Sequence, residues 1–351
     1  MSKRSMLHEF YNTLPDFVYD HIETAYTGES VNTQVGYCID IKTFLDFLRK
    51  TKFKDVASLE DFTPEHLEAV TIKDLTAYRG YLAEYESEYL SATGKRMKVI
   101  RKNSAFGVNR KLSGLRGLFG YLYKHDLISQ NVTDKLDFQK LHQKIKKPLT
   151  TQETLKFLDV LYNGENYFEG RALTEYQRRR QRDIALFITY LGTGCRVSEL
   201  LNLNLNDVDF DNFSFIVTRK GGDQQEIFMP VKVHEELDNY FQERLGYENL
   251  KDSEALFTNR QGRRMSVDGV EKILKSYFFA VGVTNPDKTR PHALRRTFAC
   301  NLLADGIDIK MVAELMGHKN IDVTHKYYAQ YTSKKRKEIM LDFEVVDENR
   351  D

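Results

Sequence analysis

Apolar side chains in residues 33–50 fall at Tyr37, Ile41, Phe44, Leu45 and Leu48, a spacing that lays them on one face of a helix. Residues 105–124 repeat the pattern through Val108, Leu112, Leu115, Phe119 and Leu122. Between them, Thr63 before Pro64 and Thr71 with Asp74 offer helix starts, because a hydroxyl and a carboxylate three residues on can satisfy the free N–H groups of a first turn. The first part of the chain therefore reads as a small helical bundle. After Pro148 the texture changes. DIALFITYL, residues 183–191, is an apolar helix that GTG breaks, and RVSELLNL restarts a helix with Leu200, Leu201 and Leu203 inward. VDFDNFSFIVTRKGGDQQEIFMPV then alternates like strands, with turns at Asp211-Asn212 and Gly221-Gly222. Helical segments resume near Val233, and the chain ends in the acidic FEVVDENRD.

The expected fold class is mainly α with a small antiparallel β-sheet in the C-terminal domain. A helical domain over 1–138 is followed by a basic linker at 139–149, closed by Pro148, and a second domain over 150–351. A chain of 351 residues, 41% hydrophobic and 12% aromatic, suits two globular domains. No apolar run approaches the ~20 residues needed to cross a bilayer, and MSKRSMLHEF is not followed by an apolar core, so the expectation is a cytoplasmic protein without a membrane partner. Cys38, Cys195 and Cys300 lie far apart with no C-x-x-C and no paired histidines, which argues for reduced thiols and against a zinc site.

The net charge of +1 is a whole-chain sum and hides local clusters. GKRMKVIRKN, residues 94–103, carries Lys95, Arg96, Lys98, Arg101 and Lys102, and Arg110, Lys111 and Arg116 follow. Placed on a loop and on the exposed face of the next helix, these residues would meet nucleic-acid phosphates or form an ordinary solvated face.

A second set of residues sits in separated stretches. Arg196 begins a helix after a glycine turn, with Glu199 one turn on to hold the guanidinium's direction. In PHALRRTFACNLL, His292 and Arg295 are three apart and share a face. Lys220 lies in a hairpin turn, His318 follows Gly317 at a chain reversal, and Tyr327 and Tyr328 are adjacent. Taken singly, each has a plainer reading as a helix pair, a cap, a surface lysine or aromatic packing. Together they suit phosphodiester chemistry without metal. Two guanidinium groups can neutralise the charge of a phosphorane, a proton donor can serve the leaving oxygen, and a tyrosine can attack phosphorus.

TGCRVSELLNLNLNDVD, TRKGG, PHALRRTFA and MGHKNIDVTHKYY resemble, in order and spacing, the signature segments of the tyrosine recombinases, the phage-integrase family. The resemblance covers about residues 148–340 and, more loosely, NRKLSGLRGLFGYLYKHDLI of the first domain, which is similar to the family's core-binding domain. GRALTEYQRRRQRDIAL with VTRKGG is similar to Xer-type recombinases that work alone and to integrases of mobile elements. The resemblance implies Arg196 and Arg295 as phosphate clamps, Lys220 as the acid for the leaving 5′ oxygen, His292 and His318 as further active-site residues, and Glu199 as support. It places the nucleophile nine positions after His318, at Tyr327. Arg296 stands where the family most often has His.

It further implies a two-domain C-shaped clamp on DNA, a covalent 3′-phosphotyrosine and strand exchange through a Holliday junction, with no metal or cofactor. The implied partners are double-stranded DNA with a paired inverted-repeat site, a homotetramer on two such sites joined through residues 342–351, and a DNA translocase or an excisionase. Chromosome-dimer resolution and movement of a mobile element both fit. The alternatives are a type IB topoisomerase and a DNA-binding protein with a decayed site.

Overall fold

The computed structural model describes residues 3–90, 96–141, 146–219 and 222–317. The chain divides into two compact units, Met1–Gln143 and Lys144–Asp351.

The first unit contains α1 (Lys3–Tyr11), α2 (Asp16–Ala25), α3 (Val31–Thr51), α4 (Pro64–Glu68), α5 (Ile72–Ala83), the strands β1 (Glu84–Leu90) and β2 (Arg96–Lys102), and α6 (Ala105–Lys124). Three of its helices, α3, α5 and α6, begin at side chains that cap them: Ser30 and Ser104 accept from the N–H groups of Thr33 and Gly107, and Thr71 and Asp74 satisfy each other's backbone N–H. Ile41, Phe44, Leu45 and Leu48 of α3 are buried against Val108, Leu112, Leu115, Phe119 and Leu122 of α6, with Tyr78 of α5 edge-on to Phe44. Burial of each large side chain is worth about 1.5–3 kcal/mol. The apolar stripes of the sequence are thus the core seam.

Two expectations fail in this unit. Residues 96–102 form a strand rather than a loop, paired antiparallel with β1 in the register Glu84↔Lys102 and Glu86↔Ile100. Lys98 and Lys102 are salt-bridged across the hairpin to Glu86 and Glu84, at 2.8 Å and 2.9 Å, so their charges are partly neutralised at home. Lys111 does not lie on an exposed face. Its ammonium is buried 2.6 Å from Asp40 Oδ1, and Arg110 binds both oxygens of that fully buried carboxylate. A lone buried carboxylate is costly, and two cations offset that cost; Lys111 is therefore a core partner and not a phosphate contact. Arg116 likewise lies over the Phe138 ring and donates to the Thr133 and Leu136 carbonyls. Lys95 falls outside the described residues.

The second unit holds α7 (Thr151–Tyr162), α8 (Gly170–Thr193), α9 (Val197–Asn202), β3 (Val208–Asp209), β4 (Ser214–Thr218), β5 (Gln224–Phe228), α10 (Val231–Leu245), α11 (Val267–Ala280), α12 (Pro291–Ala304) and α13 (Ile309–Leu315). The strands form one antiparallel sheet in the order β3-β4-β5, as the alternating segment predicts, with Phe215, Val217 and Ile227 facing the core. α8 is longer than the apolar run at its end. Its first turns carry the arginine-rich stretch, whose guanidinium groups are used internally: Arg179 and Arg182 hold the buried Asp183, which also accepts from Tyr277, and Arg180 binds the Tyr162 carbonyl. No helix of the described residues is long and apolar enough to cross a membrane.

Before α7, the chain is stapled to α12. The Leu149 N–H donates to Thr297 Oγ1 at 2.9 Å, and Arg296 donates to the Lys147 carbonyl at 3.2 Å.

His21 of the first unit is buried against Tyr26 and Tyr121, and neither ring nitrogen has a hydrogen-bond partner among the described residues. Burial lowers its pKa to about 4. Above the ordinary value of 6.5 both folded and unfolded states hold it neutral, and below that value only the unfolded state gains the proton. Stability should therefore fall with acid from about pH 6.5 to about pH 4, by about 2 kcal/mol between pH 7 and pH 5 from this residue. In urea titrations at those two pH values, His21→Leu should lose that part of the difference.

Candidate active site

The site is built on a chain reversal. α8 ends at Thr193, and Gly194 takes φ +60° while its N–H still bonds Tyr190. A Cβ at this position would lie 2.1 Å from the Phe298 ring of α12, so both the conformation and the close approach require glycine. Cys195 follows, buried, its thiol pushed up to about 12 by burial; it remains protonated and packs.

Arg196 then caps α9. Glu199, itself only 5% exposed, accepts from the Arg196 backbone N–H at 2.7 Å and from Nη1 at 2.6 Å. One carboxylate thereby fixes both ends of the arginine. The other side of the fork reaches the Gly317 carbonyl at 3.3 Å, and the side chain keeps a surface toward solvent.

Arg295 arrives from the first turns of α12 and is almost fully buried. Nη1 donates to the Gly194 carbonyl and Nη2 to the Met316 carbonyl, both at 2.5 Å. Burial, and then the nearby Arg196 charge, lower its pKa, but a guanidinium stays charged at any physiological pH. α13 closes the arrangement: after Leu315 and Met316 the chain bends at Gly317, φ +61°, presenting the two carbonyls that the arginines grip.

His292 sits one turn before Arg295 on α12 with an exposed side chain. Partial burial of the ring, then the charges of Arg295, Arg296 and Lys146, lower its pKa from the ordinary imidazole value, so it is neutral at neutral pH. Arg296 turns away from the site to the Asp287 and Lys147 carbonyls. Its charge helps to lower the His292 pKa.

The structure thus brings Arg196, Glu199 and Arg295 together, with His292 a turn away. Lys220, His318 and Tyr327 lie outside the described residues. The sequence reading missed Arg219, whose guanidinium lies against Gly317 and within reach of the Arg196 charge. The available signal was an arginine directly before the turn lysine, one cation more than a hairpin turn needs. Arg196, Arg219 and Arg295 converge on one turn with Glu199 the carboxylate between them. Such an excess of planar cations is a seat for an anion with several oxygens.

Comparison with known proteins agrees with this chemistry. Residues 169–334 match the phage integrase family. The chain is 30% identical over 304 residues to tyrosine recombinase XerC of Thermodesulfovibrio yellowstonii, covering 86% of each chain. It is 28% identical over 344 residues to tyrosine recombinase XerS of Streptococcus thermophilus, covering 92% of this chain and 93% of that one. The fold matches a solved structure of the Tn1549 transposon integrase in complex with transposon right end DNA, with a TM-score of 0.64 at 21% identity over 92% of this chain and 97% of that one. The chain belongs to the tyrosine recombinases of the phage integrase family, enzymes of site-specific recombination.

Gly194→Ala should destabilise the second unit by about 2–4 kcal/mol, combining a left-handed backbone at an L-residue with a clash in a packed contact. A urea midpoint close to that of the parent would show that Phe298 can move aside and that the reversal is less constrained than its geometry implies.

Proposed function

We propose that this chain cuts and rejoins double-stranded DNA through a 3′-phosphotyrosine at Tyr327. The observation that carries this reading is the pair Arg196 and Arg295, each held in direction by protein acceptors and aimed at one turn. In the step envisaged, the Tyr327 oxygen bonds to phosphorus, the bond from phosphorus to the 5′ oxygen breaks, and Lys220 gives that oxygen its proton. The tyrosine's own proton passes to a neutral imidazole, a role that the low pKa of His292 suits and that His318 shares. Arg196 and Arg295 offset charge on the non-bridging oxygens. The ester conserves the energy of the broken bond, so rejoining needs no external energy source.

Residues 1–138 serve as the core-binding domain, 139–149 as the linker and 150–351 as the catalytic domain. The substrate is a paired inverted-repeat site, and four protomers on two such sites exchange strands through a Holliday junction, with residues 342–351 docking on a neighbour. Lys98, Arg101 and Lys102, with Arg96 and Lys95, remain candidates for backbone contacts; the hairpin acids Glu84 and Glu86 must first yield two of them. Both a chromosomal and a mobile-element role fit, since XerC, XerS and a transposon integrase are all among the similar proteins.

A duplex selected from a random pool by covalent capture, and nicked near the cleavage point to trap the product, tests the nucleophile. Tyr327→Phe should form no adduct while still shifting the duplex in a gel, and Tyr328→Phe should form it. The reverse pattern would move the nucleophile to Tyr328.

The same duplex tests the acid. Lys220→Ala should slow cleavage by about 10² to 10⁴. With a 5′-bridging phosphorothiolate the leaving sulfur needs no proton, so that variant should cleave nearly as fast as the parent. Arg196→Ala should gain nothing from the sulfur, because the charge it offsets lies on the non-bridging oxygens. Absence of rescue for Lys220→Ala would transfer the acid's role to another group, His292 first.

A further inference from the structure

Arg219 directly follows β4, and its guanidinium rests on the face of Gly317. The approach is close: a Cβ at 317 would sit 1.1 Å from Nη1 and 1.7 Å from Cζ. The absence of a side chain at 317 is thus what makes room for the arginine. The contact provides no acceptor. Nε is buried and has no hydrogen-bond partner among the described residues. The carboxylate whose charge reaches Arg219 is Glu199, and both of its oxygens are already engaged by Arg196. Burial lowers the Arg219 pKa, while the Glu199 charge raises it and the Arg196 charge lowers it.

A residue placed to brace the fold would not be arranged this way. Arg264, for comparison, is satisfied by Asp252, Asn204 and the Leu201 and Leu203 carbonyls. Arg219 instead brings a buried Nε that has no partner among the described residues to the turn where Arg196 and Arg295 already meet. An arginine fork beside a second arginine can contact two oxygens of one phosphate, or an oxygen its neighbour leaves open.

We infer that Arg219 is a third phosphate-binding guanidinium of this site, contacting a non-bridging oxygen of the scissile phosphate beside Arg196. The inference rests on the strand-cleavage reading above and extends it to a residue outside the expected set. It also gives Gly317 a role: the glycine is the seat that lets Arg219 reach the phosphate. A phosphate elsewhere on the strand is the competing position, and the experiment separates the two.

The probe is the selected, nicked duplex in two forms, one with an ordinary phosphodiester at the cleavage point and one with a methylphosphonate there, which is neutral. Arg219→Ala in the full chain should form the adduct at least about tenfold more slowly than the parent on the phosphodiester. On the methylphosphonate there is no phosphate charge to offset, and the deficit should shrink to within about twofold. Arg219→Lys, which keeps the charge without the fork, should fall between parent and Arg219→Ala on the first duplex and match the parent on the second; it also serves if the alanine variant shows no folded transition on heating. An equal deficit on both duplexes would place the contact at another phosphate or make the residue structural, and a rate unchanged on the phosphodiester would remove it from the site. Either result overturns the inference while leaving the cleavage reading intact. If the parent itself forms no adduct with any duplex of the pool, the cleavage reading fails, and this inference with it.

Discussion

The buried guanidinium of Arg295 is the contact on which the second unit's site depends. It joins two carbonyls from distant parts of the chain, Gly194 at the end of α8 and Met316 at the end of α13. Taking a charge out of water costs several kcal/mol unless it is bonded in return. These two acceptors are neutral dipoles that orient the cation. The same turn at 316–317 receives Arg196 on its other carbonyl, while Arg196 is held from behind by Glu199. The glycines at 194 and 317 follow from these contacts, since each allows the backbone to bend where a side chain would collide with Phe298 or Arg219.

What could be read from the sequence was what depends on near neighbours. The apolar stripes of α3 and α6, the Thr71–Asp74 cap and the Arg196–Glu199 pair all involve residues within one or two helical turns. The remainder required contacts between positions far apart. Arg295 and Gly194 are separated by 101 residues, and Lys111 and Asp40 by 71. A lysine on a helix written beside other cations looks solvated until the buried acid on another helix is known. The β1–β2 hairpin was missed for a different reason: its strands alternate charged with apolar or aromatic residues, and the cluster of positive charge drew the reading toward a loop. Arg219 went unread because the lysine beside it already had a role.

A near-neutral chain can still concentrate charge where a polyanion must bind. Acids elsewhere are matched to cations locally: Asp40 with Arg110 and Lys111, Asp183 with Arg179 and Arg182, Glu84 and Glu86 with the hairpin lysines. At the 316–317 turn Arg196, Arg219 and Arg295 converge, and among the described residues the carboxylate beside them is Glu199. Net charge is therefore a poor guide to such a protein, and the local imbalance is the informative quantity.

The staple between the incoming chain and α12 has a mechanical consequence. Leu149 is tied to Thr297 and Lys147 to Arg296, on the same helix and within one turn of Arg295. Tension arriving along the backbone at residue 147 reaches α12 directly through these two bonds. A pull of that kind would slide or tilt the helix carrying Arg295 and His292 as a single lever, shifting two chemically distinct groups together by the same small displacement.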